Sequence, residues 1–215
     1  MSAAADTPAD AAQAAALQRY YRLHAGIYDA TRWTFLFGRD KIISLAAAVT
    51  TPKNILEIGC GTGRNVEALC RRFPEARVTG IDLSSQMLDQ AWGRLKPSLG
   101  RVRLVQASYD RPFHEPGQQF DLVLCSYSLS MFNPGWEQAI ETAHADLAPG
   151  GHFALVDFHD SPVPAFQRWM GVNHVRMEGH LQPMLRSRFL PVVDRAKKAY
   201  GGVWRYHLFV GQKAS

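Results

Sequence analysis

The residues best suited to do chemistry begin in the run "LEIGCGTGRN", residues 56–65, where glycines stand at 59, 61 and 63. Glycine adopts the backbone angles of a tight turn, and without a Cβ it lets a ligand approach the main chain. The following apolar run, "ARVTGIDL", delivers Asp82 at its end. A carboxylate there is placed to accept hydrogen bonds from ribose hydroxyls. A glycine triplet alone is no more than a strand-to-helix turn. Joined to an acid at the next strand end, it points to an adenosine-containing ligand. Dinucleotide sites carry G-x-G-x-x-G and triphosphate sites a Gly-Lys-Ser/Thr ending, whereas the spacing here is G-x-G-x-G without a lysine. Glu57, just before the first glycine, would repel a pyrophosphate but suits the neighbourhood of a sulfonium and an ammonium.

These residues need a scaffold, and the chain offers an alternation of strands and helices. "NILEIG", "ARVTGIDL", "VRLVQAS", "FDLVLCSY" and "HFALVDF" are short apolar runs of the kind that form buried parallel strands. Between them lie the amphipathic segments "RNVEALCRRF", "SSQMLDQAWGRL" (with Ser84 or Ser85 as N-cap) and "WEQAIETAHADL", the last expected to stop at "APGG". Strands alternating with helices give a mostly parallel sheet covered on both faces. "LPVVDRAKKAYGGVWRYHLFVGQK" reads as two long strands turning at Gly201-Gly202, an antiparallel hairpin at the sheet edge. "SPVPAFQRWMG" suggests a short helix, and 172–188 carries no decisive pattern.

Composition narrows the classes. The chain has 215 residues, 47% of them hydrophobic and 20% charged, an ordinary globular balance. No apolar stretch approaches the ~20 residues of a membrane span, and "MSAAADTPAD" lacks the features of a secretory signal. The three cysteines, Cys60, Cys70 and Cys125, form no CxxC pair, which suits neither a disulfide framework nor a zinc site. The expected compartment is the cytoplasm. The net charge of +5 is spread over separate clusters without a zinc-finger or aromatic RNA-binding signature, so nucleic acid is not an expected partner. The eight histidines show no ligand spacing, and no metal is expected. His159, just beyond the fifth strand, stands where α/β sheets place ligands; the alternative for it is a surface role.

Taken together, "ILEIGCGTG", "TGIDLSSQML", "LVQASYDRPF" and "FDLVLCSYSLSMF" resemble the class I S-adenosylmethionine-dependent methyltransferases over about residues 55–132. The resemblance implies a Rossmann-like, seven-stranded α/β sheet, mostly parallel with an antiparallel C-terminal hairpin. It also implies a helical lid over residues 1–50 preceding a cofactor-binding domain over 51–215, the whole forming one compact unit. In that family the loop of Gly59, Cys60, Gly61 and Gly63, with Glu57, holds the methionine end of S-adenosylmethionine. Asp82 binds the ribose, and Leu83 and Met87 lie beside the nucleoside. Ala107 and Ser108 border the adenine, and Ser126 faces the reacting centre.

The aromatic N-terminal run "YYRLHAGIYDATRWTFLFGRD", the turn "YSLSMFNPGW", "LVDFHDSPVPAF" with "NHVR", and the finish "AYGGVWRYHLFVGQK" look like the betaine-lipid N-methyltransferases, which methylate the homoserine amine of a diacylglycerol-linked head group. This implies a lipid head-group acceptor, with a phosphatidylethanolamine, quinone or other small-molecule acceptor as the alternative. A cofactor-binding protein without transferase activity is the contrasting class. At spacings of four, His24, Tyr28 and Arg32 would share one face if the segment forms a continuous helix. Tyr28 and Arg32 are expected at the ligand, with Tyr127 and His159 completing the catalytic set and Tyr28 also touching the cofactor. Trp33, Tyr127 and Trp136 could hold a growing methylammonium by cation–π contact. Trp33 and Leu36 are expected at an apolar rim against an anionic membrane surface, aided by Arg39 and Lys41, at the inner membrane face.

Overall fold

The computed structural model describes residues 35–114 and 117–214. The chain enters through Phe35–Phe37 into helix α1 (Arg39–Ala47), with Gly38 in the left-handed region as its N-cap. Strand β1 (Asn54–Ile58) leads through the glycine loop into α2 (Arg64–Arg72). Then β2 (Arg77–Asp82), α3 (Ser85–Leu95) and β3 (Val102–Gln106) follow. Next come β4 (Phe120–Ser126), α4 (Trp136–Asp146) and β5 (Leu147–Asp160). Helices α5 (Pro164–Val172) and α6 (Leu181–Arg188) precede the hairpin of β6 (Leu190–Ala199) and β7 (Trp204–Gln212).

The seven strands lie in the order β3-β2-β1-β4-β5-β7-β6. β1 through β5 are parallel, and β7 runs antiparallel between β5 and β6. The expected sheet and hairpin are what the molecule forms. The chain winds outward from β1 to β3 and returns to β4 on the other side of β1. The order reverses there, and the strand ends open a crevice for ligands.

Both faces are covered. On one face, Ile42, Ile43 and Ala46 of α1 pack with Val66 and Leu69 of α2, Leu88, Ala91 and Leu95 of α3, and Met170 of α5. On the other, Ala139, Ile140 and Ala143 of α4 join Leu181 and Leu185 of α6 over Val123, Leu155 and Phe209. Helix α1 lies before residue 50, so the segment expected as a lid contributes part of the core. Of the apolar residues at its entry, Leu36 departs from expectation. Leu36 and Phe35 pack against the core, whereas Phe37 is 37% exposed. Leu36 is therefore not part of an outer rim. Trp33 lies outside the described residues.

Two further differences have local causes. Helix α4 ends at Asp146, but "APGG" lies inside β5, because Leu147 already pairs with Phe120 and a register shift before Leu122 absorbs the glycines. The patternless stretch holds α6, a helix of 8 residues containing Pro183, too short to show a full amphipathic period.

Candidate functional site

The glycine loop crosses from β1 to β2 at the crevice. The amides of Gly59 and Cys60 both donate to the Ile81 carbonyl, at 2.8 and 3.0 Å. Gly61 donates to Asp82 Oδ2 at 2.7 Å, and the Ser84 amide donates to Asp82 Oδ1 at 2.9 Å. One carboxylate thus joins the loop to the start of α3. Each carboxylate oxygen has a further lone pair free for a hydroxyl. Burial pushes the Asp82 carboxyl above the usual range, opposed by these amide bonds.

The three glycines, all at positive φ, are not equivalent. A Cβ at Gly59 would lie 2.7 Å from the Ser128 Cβ, and one at Gly63 would lie 2.9 Å from the Ala91 Cβ. Those two allow close packing of the turn after β4 and of α3. A Cβ at Gly61 would meet nothing within 4 Å. Gly61 fronts open space, as a residue beside a ligand must.

Two buried oxygens at the edge of this space have no partner. Glu57 is 1% exposed; its Oε1 accepts from Asn65 Nδ2 at 2.8 Å, and its Oε2 accepts nothing. Burial raises its carboxyl to about 8, against the Asn65 bond and the field of Arg39. Ser126, at the end of β4, is 5% exposed, and its Oγ is likewise unsatisfied. Buried polar groups are normally bonded, so each exception asks for a cause. A bound molecule bringing an ammonium or other donor would satisfy both.

The other expected residues fall into place as follows. Cys60 contributes its backbone, while its thiol packs into the core against Gly80. Leu83 is half-buried, and its carbonyl accepts from Gln106 Nε2. Met87 is 1% exposed, and its amide donates to the capping Ser84 Oγ. The Ala107 amide donates to the Asp82 carbonyl at 3.2 Å, and the exposed Ser108 bonds Asp110. These residues surround one end of the crevice. Tyr127 is buried, and its hydroxyl donates to the Phe37 carbonyl at 2.7 Å, so it ties the entering chain to the end of β4. Tyr28 and Arg32 lie outside the described residues.

His159 sits farther along, at the end of β5. Its ring is 5.3 Å from that of His207, whose Nε2 pairs with Asp194 at 2.8 Å. Burial lowers His159, and the neutral imidazole this favours can accept a proton. Nearby, Asp157 is fully buried, bonded by the Ser130 hydroxyl and amide, and raised by burial to about 6. His180 stands edge-on to Trp136 at 4.9 Å, with both ring nitrogens unpartnered and its titration lowered by burial to about 4. Sequence reading missed Asn65, Asp157 and His180. Asn65 had a signal in its place at the first turn after the loop; Asp157 and His180 had none, because the contacts that define them come from other elements. Among the described residues no group of three or more His, Cys, Asp or Glu side chains could hold a metal.

Residues 55–151 match the family model described as a methyltransferase domain. This match and the sheet order are similar to those of the class I S-adenosylmethionine-dependent methyltransferases, and the groups around Gly61 fit the cofactor those enzymes use. Among curated relatives, a trans-aconitate 2-methyltransferase from Streptomyces avermitilis is 35% identical over 137 residues, covering 63% of this chain and 50% of its own length. A demethylmenaquinone methyltransferase from Thermus thermophilus is 31% identical, covering 65% of this chain and 64% of its own. The first three relatives are matched over only 36% to 50% of their length. Among solved structures, the 1,6-didemethyltoxoflavin-N1-methyltransferase of Burkholderia thailandensis superposes with TM-score 0.74 at 21% identity, covering 100% of this chain and 94% of its own. The N-methyltransferase NodS of Bradyrhizobium japonicum gives 0.69 at 22%, covering 82% and 86%. At such identities the likeness is one of fold.

Proposed function

We propose that this chain transfers a methyl group from S-adenosylmethionine to a small-molecule acceptor. The observation that carries the reading is the cradle at Gly61, open on its Cα face and bonded to Asp82, with the unsatisfied Glu57 and Ser126 oxygens at its border. When bound, the cofactor supplies an electrophilic methyl on a sulfonium. Asp82 orients the ribose, Glu57 meets the ammonium, and Ser126 offers a hydroxyl beside the reacting centre. Methyl transfer is an in-line displacement, so the protein's main task is alignment and exclusion of water. The residues preceding α1, including Tyr28 and Arg32, are proposed to close over the acceptor. His159 is proposed as a proton acceptor where the nucleophile needs one.

The relatives' names include trans-aconitate, malonyl-[acyl-carrier protein] and demethylmenaquinone methyltransferases, so acidic small molecules and quinones lead the acceptor panel. A second reading, methylation of a lipid head-group amine at an anionic membrane, is favoured by one feature. Trp169 is 51% and Tyr200 53% exposed, both packed against Phe35, and Val172 (80% exposed), Arg168, Lys197 and Lys198 are exposed near them in the chain. Titration with S-adenosylhomocysteine tests the cofactor site. Methyl-labelled cofactor offered with trans-aconitate, demethylmenaquinone or diacylglyceryl homoserine then tests the acceptor. Absence of cofactor binding would overturn the proposal, and label on the lipid amine alone would select the second reading.

A further inference from the structure

The segment following β3, residues 107–114, is largely polar and exposed, with Ser108, Asp110, Arg111 and Pro112 all on the surface. A segment of that kind is ordinarily loose, yet it is fixed at both ends. At one end the Ala107 amide donates to the Asp82 carbonyl. At the other, a single side chain from a distant element gathers it in. Asp146, the last residue of α4, is 0% exposed and accepts four hydrogen bonds from this segment. Tyr109 Oη donates to Oδ2 at 2.6 Å, and the amides of Phe113 and His114 donate to Oδ1 at 2.7 and 2.8 Å. His114 Nδ1 also contacts Oδ1, at 2.7 Å. Beside it, Lys213 Nζ donates to the carbonyls of His144 and Leu147, placing a cation at the helix end that carries this acid.

A buried carboxylate is a costly way to hold a helix on a sheet, since an apolar side chain of similar volume serves as well or better. Its arrangement makes sense as a template: a rigid acceptor that fixes where the segment runs. The segment starts at Ala107 and Ser108, against the acid that reaches the glycine loop.

We infer that Asp146 is a positioning residue for the nucleoside half of the cofactor, acting through Tyr109, Phe113 and His114 to hold the 107–114 wall in place. The inference rests on the cofactor reading above. It assigns to an acid on the far side of α4 a control over affinity for adenosine-containing ligands, with no contact to them.

The test is calorimetric titration of the full-length parent and of Asp146→Ala with S-adenosylhomocysteine and with adenosine, alongside thermal melting. Loss of the four bonds is expected to weaken both ligands by the same factor, about tenfold or more. Asp146→Asn, which keeps an acceptor for the two amides, should recover most of the affinity. A lowered melting temperature with unchanged affinity of the folded protein for both ligands would overturn the inference, because a merely structural acid would behave that way. If Asp146→Ala does not fold, Tyr109→Phe removes one bond and leaves the amides. About a twofold to tenfold loss for adenosine is expected, and parental affinity would overturn the inference. A parent that binds neither ligand would instead overturn the cofactor reading itself.

Discussion

Asp82 bonds the glycine loop and the first turn of α3 at the same time as it faces the crevice. Replacing it with alanine removes the proposed ribose acceptor and frees the Gly61 and Ser84 amides. Affinity for S-adenosylhomocysteine should therefore fall by about tenfold to a hundredfold in calorimetry, from charge-assisted bonds of roughly 1.5–3 kcal/mol; equal affinity would remove Asp82 from the site. Glu57 carries a prediction of opposite character. Its carboxyl is raised from 4.5 to about 8, chiefly by burial. A group that holds its proton more tightly when folded stabilises fully below its unfolded value, and the contribution is lost as pH rises through the folded value. Between pH 4.5 and 8 the parent should therefore lose stability relative to Glu57→Gln, which keeps the polar contact but cannot ionise. Melting curves of the pair across this range should separate in favour of the variant as pH rises, and parallel curves would show that Glu57 does not titrate there. Saturating S-adenosylhomocysteine should reduce the separation, because its ammonium favours the ionised acid.

The glycine loop is best judged as an element, because its members do different work. Gly63→Ala would press a methyl against the Ala91 Cβ on α3, whereas Gly61→Ala has room for its methyl. Both pay for a positive φ, at about 1–2 kcal/mol. Gly63→Ala should therefore show the larger drop in melting temperature, and Gly61→Ala the larger loss of cofactor affinity relative to its stability cost. The reverse ranking would contradict the assignment of Gly61 as the ligand-facing position. At this scale the sequence was most legible. β1, β2 and β4 are apolar runs buried on both faces, and the glycine triplet with Asp82 marked the crevice before any contact was known. Legibility failed where the defining information is nonlocal. β5 extends back to Leu147 because β4 offers Phe120 as a partner, and α6 is fixed by packing under the sheet. Asp146 looked like an ordinary helix-end acid until the fold brought it under residues 109–114. The expected rim at Leu36 failed for the same reason: its apolar character was plain, but whether it met core or solvent depended on elements far along the chain.

On the surface, the exposed Trp169 and Tyr200 both pack against Phe35, and the exposed Val172, Val203, Arg168, Lys197 and Lys198 lie near them in the chain. Among the described residues no helix is long and apolar enough to cross a membrane. Under the lipid reading these residues should bind anionic vesicles, with salt weakening the attachment, since each basic residue near such a surface contributes about 1 kcal/mol. Trp169→Ser with Val172→Ser should abolish vesicle flotation and leave the melting temperature nearly unchanged, because both side chains are largely exposed. Flotation equal to the parent's would remove these residues from the reading. The sheet order has a consequence for how the chain is made. β7 is the last strand in sequence, yet it lies inside the sheet, between β5 and β6. A ribosome therefore releases β5 with one flank bare, and no earlier strand occupies that place. Until residues 204–212 emerge, the nascent chain exposes an apolar strand edge of the kind that invites pairing with other chains. A chain stopped at 203 should for that reason accumulate as aggregate, whereas one that runs on through Gln212 supplies the closing strand.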